Sequence, residues 1–120
     1  MSYREITPGD IYWLALPGPD GSEPGIAHPH VVIEVLNRAG TVRVCTISTN
    51  LKRVNYPGNL RLAAGEGGLP KPSVVLVSRA STVQKTQLGT YIGSLALERV
   101  AQILSGMRFL RRSTDHPELE

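Results

Sequence analysis

Short, β-branched apolar runs separated by glycine and proline fill most of the chain and limit it to a sheet of short strands. Valine and isoleucine favour pleated backbone, while glycine and proline set the turns between strands. We predict strands at 11–16, 30–36, 41–47, 58–62, 73–77 and 80–83. The segment 17–25 has the composition of a loop, and it is longer than an ordinary hairpin connection, as functional loops often are.

The end of the chain predicts one helix, with Ser94 as its N-cap. Apolar residues then recur mainly at spacings of three and four, which makes one apolar stripe: Leu97, Val100, Ala101, Leu104, Met107, Phe109 and Leu110. Five or six short strands and one terminal helix indicate a small, strongly bent sheet or half-open barrel. We expect a single domain over residues 1–112 and a disordered acidic tail over residues 113–120.

Positive charge is concentrated in the body of the chain. The sequence has 13 Lys and Arg against 10 Asp and Glu, and three of these acids lie in the last eight residues, so residues 1–112 carry a formal charge of +6. Five basic residues and no acid lie between positions 38 and 61. Such a stretch is typical of a protein that binds a polyanion, although the fold could also supply counter-charges to it.

Composition excludes several classes of protein. With 41% hydrophobic and 19% charged residues the chain is not a disordered one. The single cysteine, Cys45, excludes an internal disulfide, and no apolar run is long enough to span a membrane. There is no signal-peptide pattern, no phosphate-binding glycine motif and no metal-ligand spacing. We therefore expect a cytoplasmic protein with no metal and no cofactor.

Two predicted strands carry reactive side chains at neighbouring ends. His28-Pro-His30 stands at the start of one strand, and the segment 48–53, Ser-Thr-Asn-Leu-Lys-Arg, follows the next. If the strands pair through the turn at 37–40, these groups lie around one patch. A histidine as base or acid, with hydroxyls and cations around the phosphate, is what RNA cleavage by attack of the 2′-OH needs.

Several linked segments of the chain form a recognisable pattern: 9–13, Gly-Asp-Ile-Tyr-Trp, 21–25, Gly-Ser-Glu-Pro-Gly, 28–32, His-Pro-His-Val-Val, 45–53, 57–60, 65–70, 73–75 and 92–95. In these segments the sequence resembles the MazF/PemK family of toxin endoribonucleases from bacterial toxin–antitoxin systems. The resemblance covers about residues 8–112.

The resemblance implies an SH3-like small barrel of the MazF/PemK/CcdB-like type, mainly β, with a C-terminal helix. It also implies a homodimer that cuts single-stranded RNA at short sequences without a metal and is neutralised by a cognate antitoxin. Family catalysis uses an arginine at the start of the second strand and a threonine at the end of the third. Here the arginine's position is filled by His28 if Pro29 is aligned, or by Ala27 if the alignment shifts by one residue. The threonine's position is filled by Ser48, with Thr49 beside it.

We therefore expect His28, Ser48 and Thr49 to be catalytic. The residues expected to contact RNA are Glu23, His30, Asn50, Lys52, Arg53 and Arg79. Trp13 is either a core residue or a platform for a base. The alternative functions are a catalytically silent relative that still binds RNA or antitoxin, a gyrase-poisoning toxin of the same barrel, and a peptide-binding SH3-like module, which the low aromatic content of 5% disfavours.

Overall fold

Six antiparallel strands form one curled sheet, and a single helix covers part of one face. The computed structural model describes residues 4–17, 25–36 and 38–114. The strands are β1 (Asp10–Leu14), β2 (His28–Leu36), β3 (Thr41–Ser48), β4 (Leu60–Leu62), β5 (Ser73–Gln84) and β6 (Tyr91–Ser94). The helix α1 (Leu97–Thr114) follows, so two residues that we assigned to the tail are helical, and 115–120 lie outside the described residues.

The strand order is β4-β5-β3-β2-β1-β6. Every neighbouring pair is antiparallel, and β2 pairs with β3 as predicted. The bent sheet or half-barrel with one terminal helix expected from the sequence is confirmed. No helix among the described residues is long and apolar enough to cross a membrane.

The two predicted strands at 73–77 and 80–83 are one continuous strand, β5. Its pairing with β3 shifts in the middle: Thr46 pairs with Leu76 and the preceding Cys45 pairs with Ala80. Residues 77–79 are therefore extra on β5 and form a bulge, which bends the strand and the sheet. The bulge interrupts the hydrogen bonds between β5 and β3. The side chain of Asn59 accepts a hydrogen bond from the backbone N–H of Val77 at 3.0 Å, so this donor still has a partner.

The prediction of Ser94 as the helix N-cap was wrong, because Ser94 belongs to β6 and the helix begins at Leu97. The Ser94 hydroxyl instead donates to the buried carboxylate of Asp10 at 2.7 Å. The same carboxylate also accepts from the side chains of Arg4 and Tyr12 and from the backbone N–H of Thr7. Burial alone would raise the pKa of Asp10, but the donors Ser94, Thr7 and Arg4 outweigh it and lower that pKa.

A hydrophobic core lies on each face of the sheet. The larger core, centred on Ile11, Val31, Cys45 and Val75, packs against Ile103 of the helix. The smaller core lies on the opposite face and is formed by Tyr12, Leu14, Val32, Val42, Val44 and Val83. Burial raises the pKa of the Cys45 thiol to about 11, so this thiol stays protonated and unreactive, as expected of a buried strand residue.

The helix packs on the turn before β4 through a contact between two glycines. A Cβ atom on Gly58 would lie 2.6 Å from the carbonyl oxygen of Gly106 in α1, and a Cβ atom on Gly106 would overlap the carbonyl oxygen of Gly58. Only hydrogen at both positions permits this approach. At an exposed position inside a helix, alanine would instead stabilise the helix by about 1 kcal/mol relative to glycine.

We therefore expect Gly106→Ala to destabilise the protein by about 1–3 kcal/mol, because overpacking outweighs the gain in helix propensity. Ser105→Ala, at an exposed position of the same helix, is the control and should change stability little. Denaturant unfolding followed by circular dichroism measures both. A Gly106→Ala variant as stable as the wild type would mean that the helix does not depend on this contact.

Candidate active site

A cavity of about 270 Å³ opens where the ends of three strands meet the loop that precedes β5. Trp13 comes from β1, His28 and Pro29 from the start of β2, and Ile47 and Thr49 from the end of β3 and just after it. The remaining lining residues are Leu69, Pro70, Lys71, Ser73 and Ile92. This volume is near the lower end for ligand pockets, roughly 300 Å³, so the cavity suits one small group.

One wall of the cavity is apolar and aromatic. Trp13 is 43% exposed and lies opposite Pro29 in the pairing of β1 with β2. Ile47, Leu69 and Ile92 continue the apolar surface around it. Of the two roles open to Trp13 from the sequence, the structure gives it a place on the cavity wall, with its ring partly open to solvent.

The polar residues of the cavity are His28, Thr49, Lys71 and Ser73. His28 and Thr49 come together because β2 and β3 pair as predicted, which places the start of one strand beside the end of the other. The hydroxyl of Ser73 is buried and donates to the backbone carbonyl of Lys71 at 2.9 Å. The cavity therefore offers an imidazole, a hydroxyl and an ammonium group beside an apolar wall.

Ser48 is not among the lining residues, although Thr49 beside it is. Its hydroxyl accepts a hydrogen bond from the backbone N–H of Asn50 at 3.0 Å. Asn50 in turn caps the 3₁₀ helix Leu51–Asn55 by accepting from the backbone N–H of Lys52 at 3.2 Å. These two side chains shape the turn that carries Thr49 to the cavity.

The other residues expected to contact RNA differ in how exposed their side chains are. Lys52 and Arg79 are exposed, and Arg53 is half-buried with its guanidinium 5.6 Å from the centre of the Tyr56 ring. None of these three lines the cavity. Glu23 lies outside the described residues.

His30 lies behind the cavity and is only 2% exposed. Its Nδ1 is 2.8 Å from the carbonyl oxygen of His28, and its Nε2 is 3.1 Å from the hydroxyl of Thr46. Burial lowers the pKa of His30, the hydrogen bond to His28 opposes this change, and the charge of His28 adds to it. The ring is therefore held neutral in the interior.

Sequence reasoning missed Lys71, Ser73 and Ile92. Lys71 and Ser73 come from the turn before β5 and from its first residue, and β5 lies beside β3. The available signal was a lysine between two prolines, directly before a fully apolar strand. Ile92 belongs to β6, a strand that the sequence did not predict.

The loop wall of the cavity is tied to the helix. Arg99 of α1 donates to both oxygens of Glu66, at 2.7 and 3.1 Å, and Glu66 opens the 3₁₀ turn Glu66–Gly68 that leads to Leu69. The hydrogen bond from Arg99 lowers the pKa of Glu66, so the pair stays charged. A bidentate, partly buried pair of this kind holds its geometry better than a single surface contact.

Among the described residues, no three His, Cys, Asp or Glu side chains are grouped so that they could hold a metal ion. The groups present in the cavity are instead those that transfer protons and bind phosphate.

Comparisons with known proteins agree on one family. Residues 7–110 match the model of the PemK-like, MazF-like toxin of type II toxin–antitoxin systems. The chain is similar to endoribonuclease MazF6 of Mycobacterium tuberculosis, with 33% identity over 107 residues, 86% of this chain and 94% of the relative. Its fold is similar to that of a Deinococcus radiodurans MazE–MazF crystal structure, with a TM-score of 0.65, 18% identity and coverage of 88% and 94%. A mycobacterial endoribonuclease solved with its cognate antitoxin gives a TM-score of 0.60, 16% identity and coverage of 85% and 88%.

The lowered pKa of His30 predicts that stability depends on pH. Below the ordinary histidine pKa of about 6.5 the unfolded chain takes up a proton that the folded chain resists, so stability should fall as the pH drops. One proton gives a slope of at most about 1.4 kcal/mol per pH unit. Urea unfolding between pH 7.5 and pH 5 measures it.

His30→Phe should remove this part of the slope, whereas His28→Gln, at an exposed position, should retain it. Equal slopes in the wild type and in His30→Phe would contradict the assignment.

Proposed function

Because the chain belongs to the PemK-like, MazF-like family of toxins of type II toxin–antitoxin systems, we propose that it is an endoribonuclease toxin that cuts single-stranded RNA. The observation that carries the proposal is the cavity shared by His28 and Thr49, with Lys71 at its edge and Trp13 on its wall. The family match over residues 7–110 supports one toxin domain over 1–112, and RNA as substrate supports a cytoplasmic location.

The reaction that suits these groups is attack of the RNA 2′-OH on the adjacent phosphorus. The O2′–P bond forms and the P–O5′ bond breaks, giving a 2′,3′-cyclic phosphate and a free 5′-OH. The 2′-OH proton must leave and the 5′-oxygen must gain one, and His28 performs one of these transfers. Thr49 donates to the phosphate oxygens and Lys71 offsets their negative charge.

The apolar wall gives the site a way to select RNA sequence. Trp13 offers a partly exposed aromatic face, and base–aromatic stacking contributes about 1–3 kcal/mol per base. A cavity of about 270 Å³ accommodates one unstacked base at a time. Duplex RNA hides its bases from such a wall, which favours a single-stranded substrate.

The groups outside the cavity extend the RNA-binding surface. Lys52 and Arg53 lie three and four residues after Thr49, and Arg79 is exposed on the bulge of β5, so we assign them phosphate contacts. Glu23 and Asn50 remain predicted RNA contacts. Ser48 acts by shaping the turn before Thr49.

A cognate antitoxin and a second copy of the chain complete the proposal. Residues 1–112 carry a formal charge of +6, which suits an acidic, flexible partner segment as well as RNA. The homodimer is testable by sedimentation equilibrium. A sedimenting mass of one chain across micromolar concentrations would contradict it.

We expect purified protein to cut a long single-stranded RNA in the presence of EDTA and to leave 2′,3′-cyclic or 3′-phosphate ends. His28→Ala should lower the rate by about 10²–10⁴-fold, the cost of losing one proton-transfer group. Thr49→Ala should cost about 10²-fold through loss of one phosphate donor, and Ser48→Ala should cost less. A rate that rises with pH would make His28 the base, and a rate that falls would make it the acid.

Three results would contradict this mechanism: products with 3′-OH ends, loss of cleavage in EDTA, or a folded His28→Ala variant that cuts at the wild-type rate. A wild type that binds RNA but never cuts it would identify the catalytically silent alternative. Inhibition of DNA supercoiling without RNA cleavage would identify the gyrase-poisoning alternative.

We also expect an acidic antitoxin segment and RNA to compete for the cavity, and both affinities to fall as salt rises. Lys71→Ala should weaken both ligands and reduce the salt dependence of RNA binding by about one charge. Lys85→Ala, an exposed lysine that does not line the cavity, is the matched control. Displacement of fluorescent RNA measures competition, and simultaneous binding of both ligands at full affinity would contradict it.

A further inference from the structure

His30 occupies the middle of the three strands that form the sheet side of the cavity. In the register it lies between Tyr12 of β1 and Thr46 of β3. It is the only buried histidine among the described residues, and it does not line the cavity. A polar ring in this position needs partners for both nitrogens, because an unpaired buried polar group costs about 1–3 kcal/mol.

The two hydrogen bonds of the ring determine where its proton lies. The carbonyl oxygen of His28 can only accept, so the proton of the neutral ring is on Nδ1, at 2.8 Å from that oxygen. The unprotonated Nε2 then accepts from the hydroxyl of Thr46 at 3.1 Å. One ring therefore bonds both to the first residue of β2 and to β3 near its end.

The bond to His28 compensates for a weakness at the start of β2. The residue between the two histidines is Pro29, which has no backbone N–H to donate to the neighbouring strand. In the sheet, His28 and Pro29 pair with Leu14 and Trp13 of β1, whereas the pairing of β2 with β3 begins at His30. The Nδ1–H group of His30 supplies a donor two residues further along, and it acts on the carbonyl of His28 itself.

We propose that His30 is a positioning residue whose ring fixes the start of β2 against the end of β3, so that His28 and Thr49 meet at the cavity. This inference rests on the proposed ribonuclease function and assigns to His30 a role without RNA contact. It acts through the His28 carbonyl and through Thr46, three residues before Thr49. Small displacements of a reacting group can cost about 10²-fold in rate, so the two hydrogen bonds of His30 should affect kcat.

Two amide variants separate the two hydrogen bonds. The amide nitrogen in His30→Asn takes the place of Nδ1 and can still donate to the His28 carbonyl. The longer side chain in His30→Gln reaches the place of Nε2, so it retains a partner for Thr46 and loses the bond to His28. We expect His30→Gln to lower kcat by about 10²-fold with little change in KM, and His30→Asn to restore most of the rate.

Thr46 gives a second pair of variants in case those at position 30 do not fold. Thr46→Val keeps the shape and removes the hydroxyl, so it should lower kcat by the same small factor as His30→Asn, which loses the same bond, whereas Thr46→Ser keeps the hydroxyl and should restore the rate. Equal rates in His30→Asn and His30→Gln, or rate losses that only follow the loss of thermal stability, would show a merely structural role and overturn the proposal.

Nuclear magnetic resonance of the histidine rings without RNA keeps this test separate from the proposed function. We expect ¹⁵N shifts that place the His30 proton on Nδ1, and His28 signals that move in His30→Gln but not in His30→Asn. A proton on Nε2, or unmoved His28 signals, would overturn the positioning role even if the wild type cuts RNA. A wild type that fails to cut RNA while the ring signals behave as expected would overturn the ribonuclease function alone.

Discussion

The antiparallel pairing of β2 with β3 is the interaction on which the cavity depends, because it alone places the start of one strand beside the end of the other. The turn that joins them requires Ala39 to adopt a φ of 54°, a left-handed conformation that costs a non-glycine residue about 1–2 kcal/mol. Burial outweighs this cost, since each fully buried valine contributes about 1.5–3 kcal/mol and Val31, Val32 and Val44 are all buried. The two cores thus fix the register from both faces of the sheet.

The opposite wall of the cavity is held by contacts of another kind. A Cβ atom on Gly67 would lie 2.6 Å from the side chain of Ile11, and one on Gly93 would overlap the backbone of Gly67. The turn that carries Leu69 can therefore lie directly on β1 and β6 only because both residues are glycine. The ion pair between Glu66 and Arg99 also attaches this turn to the helix. The cavity therefore lies between the sheet and a loop that the helix holds in place.

The sequence predicted what depends on local pattern. The strands, the terminal helix and the meeting of His28 with Thr49 follow from apolar periodicity and one turn. β6 was missed because its four residues include a glycine and show no alternation, and its pairing depends on contacts of Ser94 and Gly93 with residues far away in the chain. Lys71 was missed for a similar reason, since its place in the site requires knowing that β5 lies beside β3. His30 was expected to contact RNA, and its burial was not foreseen because nothing local reveals a buried partner for a polar ring.

The strand order affects how the protein can fold during its synthesis on the ribosome. β1 lies between β2, which follows it closely in the chain, and β6, which the ribosome adds after nearly eighty further residues. Ile92 closes the cavity from β6, and the helix that anchors the facing loop is made later still. A nascent or prematurely terminated chain therefore carries His28 and Thr49 without a finished cavity around them. The fold itself therefore delays a finished cavity until β6 and α1 have been synthesised.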